Sequence, residues 1–200
     1  MRSCTAIAGI LLAAITAFPA GADNSGGHGS PDKPYAGFEN RQIKSLSDSD
    51  LKQLREGSGW GLALPAELNG RPGPAHLLEL KDQIGLTGDQ VAAIEEIYAD
   101  MKREAIAAGE RFISAEKALS VAFEAPDLDS AKLEALLQEA EDARAALRLV
   151  HLKRHIDTPP LLTAHQIQRY QVLRGYASDP CSNVPDGHDA EMWKKHNGCG

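Results

Sequence analysis

The stretch from Leu86 to Pro126 constrains the fold more than any other part of the chain. Thr87 and Gln90 have the spacing of a capping box, in which each side chain meets the other residue's backbone N–H. Leu86 and Val91 flank that box where a hydrophobic staple requires apolar residues. Beyond it, Val91, Ile94, Tyr98, Met101, Ala105, Ala108, Phe112, Leu119 and Phe123 recur on one helical face until Pro126. This predicts a single amphipathic helix of roughly 55 Å, at 1.5 Å rise per residue. A strand cannot use such a pattern, because its faces alternate every second residue.

A second helix is expected from Asp129, an N-cap residue, with the stripe Leu133, Leu136, Leu137, Ala140, Leu147, Val150 and His151, ending before Pro159-Pro160. A third opens with a second capping box, Leu162-Thr163-x-x-Gln166, stapled by Leu162 and Ile167. It carries Tyr170 and Leu173 to a stop at Gly175. Nowhere does an alternating apolar and polar run of strand length occur, so the fold class is all-α. Two long helices with one thin stripe each imply an antiparallel hairpin that leaves one face open or pairs with a second copy.

Ahead of the hairpin, residues 35–85 read as short helices. Phe38, Ile43 and Leu46 suggest one, and Ser47-x-x-Asp50 starts another carrying Leu51 and Leu54 to Gly57. Gly57-Ser-Gly-Trp-Gly61 lacks both a preceding strand and a phosphate-loop lysine, so it reads as a turn anchored by Trp60. Leu62 to Leu68 is helical despite Pro65, and Pro74 opens a helix running to Ile84 with Gly85 as its stop.

Of the 200 residues, 42% are apolar and 24% charged, enough apolar material for one modest core or two small ones. A formal net charge of −7 argues against nucleic acid and against an anionic membrane surface. Met1-Arg2, the apolar run Ala6 to Phe18, too short to span a bilayer, and Ala20-Gly21-Ala22 form a signal peptide over 1–22, expected to be cleaved after Ala22. Removing 22 of the 200 residues leaves 178 and, with Arg2 lost, a net charge of −8. Residues 23–34 read as a flexible leader. The remaining cysteines, Cys181 and Cys199, are an even pair in an oxidising compartment and are expected to staple the tail, 178–200, with a disulfide. Two thiolate metal ligands are the alternative.

The two Leu-Thr-x-x-Gln boxes bracketing one hairpin, in an exported all-α chain, resemble the Spy/CpxP family of periplasmic LTxxQ proteins, to which zinc-resistance and nickel/cobalt-sensing proteins are related. The resemblance covers Leu86 to about Tyr176, within the hairpin domain at 86–177. It implies a periplasmic, cradle-shaped homodimer. It also implies either ATP-independent binding of unfolded clients or metal binding tied to envelope stress, with a membrane sensor protein as a further partner.

His151 and His155 stand four apart on one helix, so both imidazoles project from one side and can share an ion. A third ligand has to come from another segment, with His76, Glu67 and His165 as candidates. The competing reading makes His151 a hydrogen-bonded core histidine and leaves His155 favoured by the helix C-terminus. In the tail, His188, Met192 and His196 recur every four residues, a thioether and imidazole set that suits copper, with Asp189 admitting zinc. A stapled surface helix with Trp193 packed on the hairpin and solvated histidines explains the same residues.

For client capture, the relevant residues are Tyr98, Phe112 and Phe123 with Lys102, Arg103, Arg111, Arg144, Arg148, Lys153 and Arg154. Residues 84–176 nevertheless hold 11 Lys+Arg against 15 Asp+Glu, unlike the basic cradle of the chaperone relatives. No H-E-x-x-H, nucleophile elbow or phosphate loop is present, so no enzyme is expected. The leading expectation is a non-enzymatic metal-resistance protein holding Zn, Ni, Co or Cu on the hairpin, with chaperoning as its rival.

Overall fold

The structure is a computed structural model that describes residues 33–182 and 184–199. The signal peptide expected over 1–22, and most of the leader expected over 23–34, lie outside the described residues. Two compact units divide the chain, Met1–Gly37 and Phe38–Gly200. The first is described only from residue 33, where the Ala36 N–H donates to the Lys33 carbonyl (3.2 Å).

Within the second unit the described residues form α1 (Asp48–Arg55), α2 (Leu64–Glu67), α3 (Pro74–Glu79), α4 (Lys81–Ile84), α5 (Gly88–Ala122), α6 (Ser130–Asp157), α7 (Ala164–Leu173) and α8 (Ala190–His196). No strand occurs among them, only an isolated bridge between Ile43 and Leu46, so the fold is all-α. The 35 residues of α5 and 28 of α6 pack along one another. Their direction follows from paired positions: Gln90 reaches the Leu161 carbonyl, Glu104 meets Arg154, and Glu110 shares a groove with Glu139. The numbers rise on one helix as they fall on the other, which makes the hairpin antiparallel. Small buried residues on the hairpin (Ala105, Ala108, Ala115 and Ala140) let two long helices lie close.

Both expected capping boxes form, and they also meet each other. Thr87 accepts from the Gln90 N–H (3.2 Å) while Gln90 Oε1 accepts from the Thr87 N–H (2.9 Å), and Thr163 with Gln166 repeats the pattern (3.2 and 3.0 Å). The two glutamine amides then exchange hydrogen bonds, Gln90 Nε2 to Gln166 Oε1 at 2.9 Å and Gln166 Nε2 to Gln90 Oε1 at 2.8 Å. Each spare amide N–H finds a carbonyl on the other strand of chain, Leu161 for Gln90 and Gly85 for Gln166. Every donor of both amides is thereby satisfied, as burial of polar groups demands.

Two apolar clusters line the hairpin. The first joins Ile43, Leu46, Leu51, Leu54 and Leu62 to Ala105, Ala108, Phe112, Ile113 and Leu147, with Trp60 against its edge. The second joins Leu77, Ile84, Ile94 and Tyr170 near the start of α5. Gly109 is required where α1 ends on α5: a Cβ there would lie 2.6 Å from the Leu54 carbonyl oxygen. Trp60, with φ at 45°, is held by its indole N–H donating to Asp50 (2.8 Å) and by Phe112, ring centres 5.7 Å apart. Asp50 is buried in part, which raises its pKa, but hydrogen bonds from Ser47 and Trp60 outweigh this and hold it below the ordinary value.

Three expectations need correction. The helix expected from Pro74 to Ile84 breaks at Leu80 (φ −103°, ψ 10°), a turn that lets Leu77 and Ile84 enter the same core. Phe123, expected on the buried stripe, is the C-cap of α5 and 66% exposed, because the stripe outruns the segments that cover it. Arg154, counted among the basic residues for client capture, is buried and paired with Glu104 (2.8 Å) and Asp157 (3.5 Å).

Candidate functional site

Between the two clusters, α6 turns from apolar to polar residues while α5 continues its stripe. One turn past Leu147, α6 presents His151 and then His155. Across from them stand Tyr98 and Met101 of α5, and α2 and α3 bring Glu67, Gly73 and His76. Together with Trp60 and Leu64 these residues line a cavity of about 420 Å³. The hairpin histidines and two of the three candidate partners, His76 and Glu67, therefore meet at one place.

Glu67 is the hub, although it is only 4% exposed. Its Oε1 accepts from the Tyr170 hydroxyl, from the Tyr176 hydroxyl (3.2 Å) and from His76 Nδ1 (3.2 Å), with Arg174 Nε at 3.5 Å. Burial raises the carboxyl pKa, but hydrogen bonds from His76 and Tyr170 and the charges of His76 and His155 outweigh it and bring it down to about 2. Burial, and then the carboxylate it faces, push the Tyr170 phenol up, so it stays protonated and keeps donating.

The histidines are committed to different degrees. Arg174 Nη2 lies 3.5 Å from His76 Nε2 and can only donate, so the His76 proton sits on Nδ1, facing Glu67. His155 Nδ1 lies 2.6 Å from the Arg71 carbonyl oxygen and must donate to it. The other edge of the His155 ring fills the place of a Cβ at Gly73, which would lie 2.5 Å from Nε2. His151 differs from both. It is 3% exposed, lines the cavity, and its Nε2 has no hydrogen-bond partner. Burial, then the neighbouring His155 charge, lowers its pKa and keeps it neutral, with a lone pair to share.

At this cavity His151 Nε2 and Glu67 Oε2 are both buried without a hydrogen-bond partner. They do not form a ready polydentate cage. Among the described residues no group of three or more His, Cys, Asp and Glu side chains is disposed to hold a metal. Glu67 Oε1, His76 Nδ1 and His155 Nδ1 are spent on protein partners.

His165 stands apart from this cavity. It lines a second one of about 420 Å³ with Arg169, Lys194 and the Cys181–Cys199 pair, and it faces Gly198. In the tail, Cys181 and Cys199 form a disulfide with Cα atoms 5.5 Å apart. His188 precedes α8 and packs edge-on against Trp193 (4.9 Å), Met192 is 73% exposed, and His196 is exposed. The Trp193 indole donates to the Pro180 carbonyl (2.8 Å) within the tail itself, where packing on the hairpin was the expectation.

Sequence reasoning passes over Met101, Arg71, Gly73, Arg174 and Tyr176. The one available signal lies in Tyr170, whose place on an apolar stripe leaves a buried hydroxyl in need of a partner. No protein-family model, curated protein or solved structure matches the chain.

Proposed function

We propose that this is an exported, non-enzymatic periplasmic protein that binds a transition-metal ion (Zn, Ni, Co or Cu) in the cavity between the two cores, as a metal-resistance or envelope-stress factor. The supporting observation is His151 Nε2, buried and unpartnered in a cavity shared with Met101, His76 and His155. An unsatisfied buried polar group costs about 1–3 kcal/mol, and a bound ion removes that cost. Export is supported by the disulfide and by the apolar run ahead of Ala20-Gly21-Ala22; no described helix is long and apolar enough to cross a membrane.

Metal content of the purified mature chain, measured by elemental analysis after loading with each ion, tests this. One ion per chain, lost in His151→Ala and kept in His188→Ala/His196→Ala, is the expected result. Binding of none of the four ions, or full retention by His151→Ala, overturns the proposal.

A second reading has its own support. Val121, Phe123, Leu137, Leu149 and Ile156 are large apolar residues exposed on the hairpin. Residues 130–143 hold Lys132 against Glu134, Glu139, Glu141 and Asp142, a net −3, while 144–157 hold Arg144, Arg148, Lys153 and Arg154 against Asp157, a net +3. That asymmetry favours two copies of α6 pairing head to tail, and such a homodimer can offer the apolar rows to unfolded clients without ATP. Sedimentation equilibrium and suppression of client aggregation at near-equimolar ratio are the checks; a monomer that leaves aggregation unchanged excludes this second reading.

A further inference from the structure

We infer that the second cavity, between α7 and the disulfide-closed tail, binds a small acidic zwitterion: an acidic amino acid or a dipeptide that contains one. The inference is independent of metal binding in the central cavity and adds a second site.

The cavity follows from the residue order of α7. Gln166 and Tyr170 turn into the core, so His165, Gln168, Arg169 and Val172, at steps of three, one and three residues, share another face. The tail lies across that face. His165 abuts Gly198, where a Cβ would lie 2.5 Å from Nε2, and beside this contact Asp179, Lys194, Asn197 and the disulfide complete a space of about 420 Å³. The tail wall is held by its own bonds. Cys181–Cys199 closes the loop, the Trp193 indole donates to the Pro180 carbonyl (2.8 Å), and Asn197 Nδ2 donates to the Trp193 carbonyl (2.9 Å). Such a volume suits a small organic molecule.

The charges on the two walls select its chemistry. Arg169, on α7, gives Nε to the Gln83 carbonyl (3.4 Å); its other nitrogens, and Lys194 Nζ on the tail, have no partner among the described residues. Acidic side chains outnumber basic ones in the chain, 28 to 21, yet neither cation is paired with one. One cation on each wall suits a ligand with two carboxylates, and the planar guanidinium can take one of them bidentately. Asp179 adds the opposite charge. Its Oδ1 accepts from the Cys181 N–H (2.9 Å), which fixes the carboxylate at the cavity and leaves Oδ2 for an ammonium group. Two positive charges against one negative match two carboxylates and one ammonium. A plain dicarboxylate or a phosphate leaves Asp179 unmatched and is repelled by it.

Isothermal titration calorimetry of the mature, oxidised protein with L-glutamate and glutamyl-alanine is the test. Glutarate, which lacks the ammonium, L-lysine and inorganic phosphate are titrated in parallel. One glutamate or dipeptide per chain is expected, with glutarate and phosphate at least about tenfold weaker and lysine not bound. Arg169→Gln and Lys194→Gln change exposed side chains and should each weaken binding about tenfold with little change in melting temperature. Lys195→Gln, on α8 outside the cavity, should leave affinity unchanged, and reducing the disulfide should weaken it by freeing one wall. No binding of glutamate or the dipeptide, or full affinity in both Arg169→Gln and Lys194→Gln, overturns the inference. Glutarate or phosphate binding as tightly as glutamate overturns the zwitterion assignment. An equal loss in Lys195→Gln and Lys194→Gln overturns the site in favour of diffuse surface attraction.

Discussion

The two ends of the hairpin are built on opposite terms. At its base, α5 and α6 are covered by α2, α3, α4 and α7, and the polar groups enclosed there are bonded to one another around Glu67 and the Gln90–Gln166 pair. At its tip, beyond Ala115 and before Ala140, Ser45 and Lys44 still bond Glu116 and Ser120, but Val121, Phe123 and Leu137 stand in solvent. The base has traded apolar area for directional bonds, which specify one arrangement and leave one cavity. The tip keeps large apolar side chains exposed among the described residues.

Substitutions should separate the two ends sharply. Glu67→Gln removes a carboxylate on which two phenols and a guanidinium converge, and should cost about 3 kcal/mol at pH 7 in denaturant unfolding. Since the folded carboxyl titrates near 2 against an ordinary 4.5, that stability is complete above pH 4.5 and disappears as the pH falls from there toward 2. Wild type and Glu67→Gln should therefore converge below about pH 2; a gap that persists in acid would mean the loss is packing alone.

Gly109→Ala comes next. Alanine normally stabilises a helix interior relative to glycine by about 1 kcal/mol, but here its methyl meets the Leu54 carbonyl. A loss of about 2 kcal/mol is expected, opposite in sign to propensity, and a melting temperature that rises would refute the close approach of α1 to α5. Gln90→Ala and Gln166→Ala each strand the opposite amide, at about 1–2 kcal/mol apiece. Their double-mutant cycle should show coupling of about 1 kcal/mol, and simple additivity would deny that the amides pair.

His151 gives a smaller, pH-dependent effect. Its folded pKa lies below the ordinary 6.5, so the unfolded chain takes up the proton first. Stability should be complete above pH 6.5 and decline as the pH falls through it, and His151→Gln should flatten that slope in thermal melts. At the tip, Phe123→Ser and Leu137→Ser should shift monomer stability by less than about 0.5 kcal/mol while abolishing dimerisation or client protection. A large destabilisation there would show that the tip is covered after all.

The sequence shows the long helices and their starting points plainly, because capping boxes and periodic stripes are local signals. It shows too that Glu67, His76, His151 and His155 are chemically apt to meet. It does not reveal what each is doing there. Whether a histidine is open or spent depends on the Arg71 carbonyl and Arg174, residues 84 positions from His155 and 98 from His76. Leu80's break is similarly hidden, since its reason is the shared core of Leu77 and Ile84 and no local residue forbids the helix.

The exchanged glutamine amides have a consequence for how such a protein can change over time. Residues 90 and 166 tie the chain into a loop at its neck, and each amide also grips the backbone just ahead of the other's helix. What lies between the knots is measured from that neck outward. The cavity sits within the first few turns, and its geometry is set there, so the reach of the arm beyond it is a separate variable. Matched turns gained or lost near Pro126 would lengthen or shorten the arm while the neck and cavity stay in register, which lets contact range drift independently of what the cavity holds.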